Sequence, residues 1–297
     1  MNTILKKFGL TDDFSVTELS CGHINKTYLC KCESGKYILQ SLNRDIFPNP
    51  EIVAENISVI GKAFEKFGDN SLFIPHYLQC EGKRYIEQNG EIWRIYDYAE
   101  SNGHYSPFYH GYAVGRFLKV VNSCSVQLKT PLELHNFGDL KLPIRNIHGD
   151  TKADNIIFGE RLTIIDLDTA MSGYICADFG DMIRSVTAKK FSMADIRDAV
   201  NGFAQGIDGL LTCEEIHSLY NGIVLIISEL ASRYKGGTGN FPNKTAEQCR
   251  LRELELTAQL EQIKGCEMEI RQAVNDGFKN FNPKHLLHFR DAFTELS

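Results

Sequence analysis

His148-Gly-Asp-Thr-Lys-Ala-Asp-Asn155, followed eleven residues later by Asp166-Leu-Asp168 at the end of the apolar run Leu162-Thr-Ile-Ile165, is the stretch on which the reading of this chain turns. A hydroxyl that attacks a phosphoryl group needs a carboxylate to take its proton, and cations bridging nucleotide phosphates need hard oxygen ligands close by. Asp150 supplies the first. Asn155, five residues on, and Asp166 supply the second. A polar turn between two strands would also use Asp and Asn as caps, but that reading leaves the acidic pair at the end of an apolar strand without a purpose.

The spacing His-x-Asp-x-Lys-x-x-Asn is that of a kinase catalytic loop, and a strand running into Asp is that of the metal-binding segment that follows it. Asp150 is the candidate general base. Lys152, two residues on, is placed to set its ammonium against the transferring phosphoryl oxygens. Asn155 and Asp166 are the candidate Mg²⁺ ligands. Asp168, read as lying on the same strand face as Asp166, is a second metal ligand or a partner for Lys152. His148 is expected to hold the loop by hydrogen bonds rather than to act as a base.

Composition excludes other classes. A chain of 297 residues with 43% apolar content can bury a core in each of two lobes. Lys plus Arg number 32 against 38 Asp plus Glu, a net charge of −6, with no long basic run, so nucleic acid is not the expected partner. The longest apolar stretch, Ile223 to Leu230, is broken by Ser228 and Glu229, and the N-terminus has no sustained apolar core, so a membrane partner is not expected either. Nine cysteines without a Cys-x-x-Cys pair fit a reducing, cytoplasmic address rather than a disulfide framework. Cys30 and Cys32 read as small packing residues, not as a metal site with Cys21 and His23.

Outward from the loop, short β-prone stretches at 14–19, 27–32 and 36–42 predict three antiparallel strands. Apolar positions Ile52, Val53, Ile57, Ile60, Ala63, Phe64 and Phe67 then predict a helix after Pro50. Two more strands, around Tyr77 to Cys80 and Ile92 to Tyr98, complete a five-stranded lobe. Ala99 to Gly103 is a connector, 108–126 a helix, and the chain from about 190 is helical, most clearly over 244–263. The expected class is α+β: a two-lobed, kinase-like fold with an N-terminal five-stranded antiparallel sheet and one helix over 1–98, and a mostly helical catalytic and acceptor-binding lobe over 99–297. The cleft between lobes would take the nucleotide, with the backbone of Asp97, Tyr98 and Ala99 against the adenine. The loop Cys21 to Thr27, with His23 and Asn25, sits where a phosphate-covering loop joins the first two strands. Gln40 stands where a third-strand lysine is usual, and a neutral amide does not replace that charge. Lys26, Arg44 or Lys152 could compensate, with Glu55 as an ion-pair partner.

With these segments in view, the chain resembles the aminoglycoside phosphotransferase-like superfamily of small-molecule kinases, and within it the N-acetylhexosamine 1-kinases. The resemblance is carried by Gly22-His-Ile-Asn-Lys-Thr-Tyr28, Tyr37-Ile-Leu-Gln-Ser-Leu-Asn43, Trp93-Arg-Ile-Tyr-Asp-Tyr98, Leu142 to Asn155, Ile165 to Gly173 and Asp178-Phe-Gly-Asp-Met-Ile-Arg184. It implies ATP- and Mg²⁺-dependent phosphorylation of the anomeric hydroxyl of N-acetylglucosamine or N-acetylgalactosamine. Three positions depart from it: Gly149 replaces an expected Asn, Ser41 an expected Arg, and the stretch between Phe117 and Leu142 is shorter. Asp178, Arg184 and Arg233 are the candidate acceptor residues, although an acid placed like Asp178 braces the catalytic loop in this superfamily. Gly236 to Gly239 is a candidate lid or a plain turn. Competing readings are a kinase for choline, homoserine, methylthioribose or an aminoglycoside, and a nucleotide-binding pseudokinase. Asp150, Asn155 and Asp166 argue against the last.

Overall fold

The computed structural model describes residues 1–281 apart from 12, 20–24, 34, 132–139, 240 and 242. A short helix, α1 (Asn2–Lys7), precedes strands β1 (Ser15–Leu19), β2 (Lys26–Cys32) and β3 (Gly35–Leu42), helix α2 (Pro50–Phe67), and strands β4 (Ile86–Gln88) and β5 (Glu91–Asp97). The five strands form one antiparallel sheet in the order β1-β2-β3-β5-β4. Five strands and one major helix agree with the sequence, but the fourth strand is not the expected one. Tyr77 makes only an isolated bridge to Tyr96. The strand lies instead over Ile86–Gln88, joined to β5 by Asn89 and Gly90 at φ 54° and 79°. An Asn-Gly pair with both φ positive is the two-residue turn whose twist matches that of a hairpin.

Alternation along the strands gives the sheet two different faces. Leu39, Trp93 and Ile95 point outward and pack with Cys30 against Ile4, Leu5 and Phe8 of the α1 region. Leu42 and Ile92 point inward, towards Val53, Ile57 and Ile60 of α2. On that inner face Gln40 lies directly opposite Arg94, both buried.

After a connector without regular structure, α3 (Pro107–Asn122) opens the helical part. The segment with the candidate site residues follows. β6 (Arg145–Ile147) pairs with β9 (Met171–Gly173), and between them lie a 3-10 turn at Ala153–Asn155, the hairpin β7 (Ile156–Ile157) with β8 (Thr163–Ile164), and a second 3-10 turn at Leu167–Thr169. Helices α4 (Ile175–Thr187), α5 (Met193–Ile207), α6 (Cys213–Lys235), α7 (Ala246–Gly265) and α8 (Glu267–Phe281) complete the described chain. The helical region thus begins at Ile175, earlier than the sequence suggested. α3 and α5 cross at backbone contact: a Cβ on Gly111 would lie 1.9 Å from the Ala199 carbonyl, and one on Gly202 1.9 Å from that of Phe108. That approach seats His110 against the catalytic loop. Arg145 forks onto Glu215, which also closes the Thr212 capping box of α6, so the strand entering the loop is tied to a helix start.

The larger apolar core is continuous through both parts, running from Leu42, Ile57 and Ile92 to Phe117, Leu167 and Phe179. No helix among the described residues is long and apolar enough to cross a membrane.

Candidate active site

The loop after β6 turns at Gly149, φ 82°, a left-handed position that suits Gly or Asn. Gly149 where Asn was expected therefore preserves the loop conformation. Around it the loop is held from three sides. Asp178, at the start of α4, accepts from the backbone N–H of His148 (2.7 Å) and of Gly149 (2.8 Å) and is buried. His148 donates from Nε2 to the carbonyl of Ile165 (3.0 Å) and accepts at Nδ1 from the N–H of Asp150 (3.3 Å). His110 donates from Nε2 to the carbonyl of Thr151 (2.8 Å) while the Tyr105 hydroxyl donates to its Nδ1 (3.1 Å). Burial pushes the pKa of His110 down to about 4, and that of His148 down too, so both rings stay neutral and keep these tautomers. The assignment of Asp178 to the acceptor is thereby corrected: both its oxygens are spent on the loop backbone.

Asp150 is gripped by its neighbours. Lys152 Nζ lies 2.5 Å from its Oδ2, and Asn155 Nδ2 donates to the same oxygen (3.0 Å) and to the Asp150 carbonyl (2.8 Å). With its NH₂ turned to Asp150, Asn155 points its amide oxygen away from that carboxylate. Burial works against the charge on Lys152, but Asp150, Asp166 and Asp181 outweigh it and raise its pKa.

Asp166 adopts a left-handed conformation, φ 62° and ψ 57°, rare for a residue with a side chain. It lies beyond the end of β8, and Leu167–Thr169 coil into a 3-10 turn, so Asp166 and Asp168 do not share a strand face. Burial first, then repulsion from Asp168 and Asp150, pushes the Asp166 carboxyl up to about 7. A carboxylate so destabilised by its surroundings is suited to a divalent cation, and Asn155 and Asp166 offer hard oxygen donors of the kind Mg²⁺ prefers. Among the described residues no group of three or more His, Cys, Asp or Glu is placed to hold a metal ion.

Asp168 faces the other way, and its expected roles are corrected. It forms a buried pair with Arg94 of β5, Oδ1 to Nη1 at 2.5 Å and Oδ2 to Nη2 at 2.7 Å, and accepts from Asn25 Nδ2 at 3.0 Å. Lys152 pairs with Asp150 instead. Gln40 does not reach out to a nucleotide: its Oε1 accepts from Arg94 Nε (3.0 Å) and Nη2 (2.5 Å), and its Nε2 donates to Thr27 (3.1 Å). Asn25 likewise turns inward, its Oδ1 accepting from the N–H of Asn43 at 2.9 Å. Of the three residues named as substitutes for the missing lysine, Lys26 pairs with Glu91 and Arg44 with Glu87, Lys152 stays in the loop on Asp150, and Glu55 pairs with Lys129. His23 lies outside the described residues.

Arg94 and His110 were missed as site residues. An arginine inside the apolar strand Ile92-Trp-Arg-Ile, across from Gln40, was the available signal, since a charge there demands a partner. Arg184 lies near the loop, its Nε donating to Asp181 at 2.8 Å; burial opposes its charge, while Asp181 and Asp150 outweigh that and raise its pKa. Arg233 is exposed near the end of α6, over the ring of Phe241, which stacks on Tyr234 with centroids 4.0 Å apart. The connector residues Asp97, Tyr98 and Ala99 line a cavity of about 780 Å³ together with residues 73–76 and 159–161; it touches neither Asp150 nor Asp166. The N–H groups of Asp97 and Tyr98 are spent on the carbonyls of His76 and Lys36.

Residues 85–211, which span β5, the loop with Asp150 and Asn155 and the turn with Asp166, match the phosphotransferase enzyme family APH. This chain is a phosphotransferase. Solved structures share its fold. An aminoglycoside phosphotransferase from Alicyclobacillus acidocaldarius superposes with a TM-score of 0.65 at 10% identity, over 93% of this chain and 96% of that one. A microcompartment-associated aminopropanol kinase gives 0.63 at 14%, over 91% and 98%. A spectinomycin phosphotransferase, solved with ADP and spectinomycin, gives 0.60 at 12%, over 90% and 97%. At these identities the likeness carries the fold of the phosphotransferase and not its acceptor.

Proposed function

We propose that this phosphotransferase moves the γ-phosphoryl group of ATP, with Mg²⁺, onto a neutral sugar, the expected acceptor hydroxyl being the anomeric one of N-acetylglucosamine or N-acetylgalactosamine. The observation that carries the reading is the grip on Asp150: one carboxylate oxygen held by Lys152 and Asn155 at the mouth of a loop fixed by Asp178, His148 and His110. An incoming hydroxyl competes with Lys152 for that oxygen and hands its proton to Asp150. Lys152, released, neutralises charge on the transferring group. Asn155 and Asp166 would hold the Mg²⁺, which supplies charge neutralisation along the phosphates. The adenine is assigned to the cavity lined by Asp97, Tyr98 and Ala99, without the N–H groups of Asp97 and Tyr98, which are already bonded within the chain.

The charge balance beside the loop favours a neutral acceptor. Lys152 offsets Asp150, and Arg184 offsets Asp181. A site for a polycation would be lined by unbalanced carboxylates, whereas a fixed Asp–Arg couple both accepts from and donates to sugar hydroxyls and an acetamido group. Arg184 is the acceptor residue nearest the loop, and Arg233 with the Tyr234–Phe241 stack offers an outer contact.

The test is transfer from Mg·ATP to N-acetylglucosamine, N-acetylgalactosamine, choline, homoserine and kanamycin, with NMR assignment of the phosphorylated oxygen. Transfer to a hexosamine at its anomeric oxygen is expected. Transfer only to the cationic acceptors would remove the sugar, and absence of both transfer and ATP binding would remove the kinase.

A further inference from the structure

In protein kinases the sheet is tied to the rest of the site by a lysine on the third strand, paired with a glutamate on the following helix and reaching the phosphates. Here Gln40 occupies the lysine position, and Glu55 on α2 is turned to Lys129 at the surface. We infer that Arg94 is the positioning residue that takes over this tie, with its partner moved from the helix to Asp168 on the metal segment. The arrangement ties Asn25, at the entry to β2, and the turn that carries Asp166 into one frame.

The geometry is specific. Arg94 stands opposite Gln40 in the β3–β5 register, so its charge enters the inner face from the neighbouring strand at the level where the lysine would project. Its guanidinium donates from Nε and Nη2 to Gln40 Oε1 and from Nη2 to Asp168 Oδ2, while Nη1 and Oδ1 meet as an ion pair without a directed hydrogen bond. The rings of Tyr77 and Tyr96 flank it at 5.5 and 5.9 Å. A lysine has one nitrogen and no planar fork, and could not donate to the Gln40 amide from two nitrogens while also donating to Asp168. Asp168 Oδ2 also receives Asn25, the residue immediately before β2, which in turn receives the N–H of Asn43 beyond the end of β3. Asp168 lies two residues from Asp166 and shares its turn. One carboxylate therefore fixes both Asn25, where the chain enters β2, and the turn that carries Asp166.

Stability alone is a poor reason for this pair. Desolvating two charges offsets most of what their attraction returns, and a well-packed apolar pair commonly serves a core as well or better. What an apolar pair cannot do is hold Asn25 and Gln40 by directed hydrogen bonds.

The inference rests on the phosphotransferase reading, not on the acceptor, so the test reads nucleotide binding and ATP turnover without requiring the sugar. Calorimetry with ATP, with and without Mg²⁺, thermal melting, and turnover at saturating and limiting ATP are measured for wild type, the double variant Arg94→Met with Asp168→Leu, the single variant Arg94→Lys, and Asn25→Ala. The double variant is expected to melt near wild type, yet to lose about 100-fold in kcat, the scale of a misplacement near 1 Å, and about tenfold in affinity for Mg·ATP. Arg94→Lys is expected to lose a comparable part of kcat. Asn25→Ala should raise KM for ATP more than it lowers kcat. A double variant that melts like wild type and turns over within about threefold of it would overturn the inference, leaving the pair as mere filling. Should the double variant not fold, wild-type kcat/KM in Arg94→Lys would overturn it equally. A wild-type chain that binds no ATP would sink the functional reading and this inference together, whereas failure of the sugars alone leaves the nucleotide measurements standing.

Discussion

Arg94–Asp168 and Lys152–Asp150 are both cation–carboxylate pairs of the same site, and burial separates them: the side chains are 3% and 2% exposed in the first, 37% and 26% in the second. The first joins one hydrogen bond to a second close ion contact, is wired to Gln40 and Asn25, and is sealed from a substrate that could displace it. The second is a single contact at the mouth of the loop, where an arriving hydroxyl can break it. A fork sealed from water fixes geometry, and a half-open point charge can change partners during a reaction. The difference assigns the two pairs different work although their chemistry is nearly the same.

The comparison can be broken in several places. The largest effect is expected at Asp150→Asn, with turnover down about 10³-fold and ATP affinity within about twofold of wild type; unchanged turnover would take the proton-accepting role from Asp150. Next, removing one partner of each pair should split their stabilities. Asp168→Leu strands a buried guanidinium and should cost about 3–5 kcal/mol in denaturant unfolding, while Lys152→Ala, at a solvated pair, should cost under about 1 kcal/mol. Equal losses would erase the distinction drawn between them.

A smaller effect concerns pH. Burial holds the folded pKa of His110 down to about 4 from 6.5, so the native protein binds fewer protons than the unfolded chain between those values. Its contribution to stability is complete above pH 6.5 and is lost as pH falls towards 4, with His148 acting in the same direction. Melting temperature should fall across that window, less steeply in His110→Asn; an identical slope in the variant would exclude His110 as a source. The smallest effect is expected at Gly149. Because its φ is 82°, Gly149→Asn should be nearly silent in melting temperature, whereas Gly149→Ala should cost about 1 kcal/mol; equal costs would mean that the left-handed turn is not what the position demands.

The elements most visible in the sequence were those with strong local signals. Helix α2 follows Pro50 and keeps its apolar stripe, and β2, β3 and β5 are bounded by turn residues within one residue of expectation. The fourth strand was misplaced because Tyr77 to Cys80 looks β-prone, while Ile86–Gln88 is short and announced only by its Asn89-Gly90 turn. α4 was overlooked because its start carries loop-bracing polar residues that interrupt the apolar pattern. At the site, Asp150, Lys152 and Asn155 were legible together because they lie within one loop, where spacing dictates proximity. Asp168 was misjudged for the opposite reason: strand alternation was extended past Ile164, where the backbone turns left-handed and the rule no longer applies.

By itself the sequence determined the chemistry on offer, two carboxylates, an amide and a lysine at fixed short intervals, and the order of sheet, connector and helices that carries them. Those are properties of neighbours along the chain, set by local propensity and by chemical type. Only the tertiary structure decided which groups meet across 74 and 143 residues, where Arg94 and Asn25 both find Asp168. Hydrogen bonds across such separations form when packing brings two elements together, and no local pattern of residues contains that information.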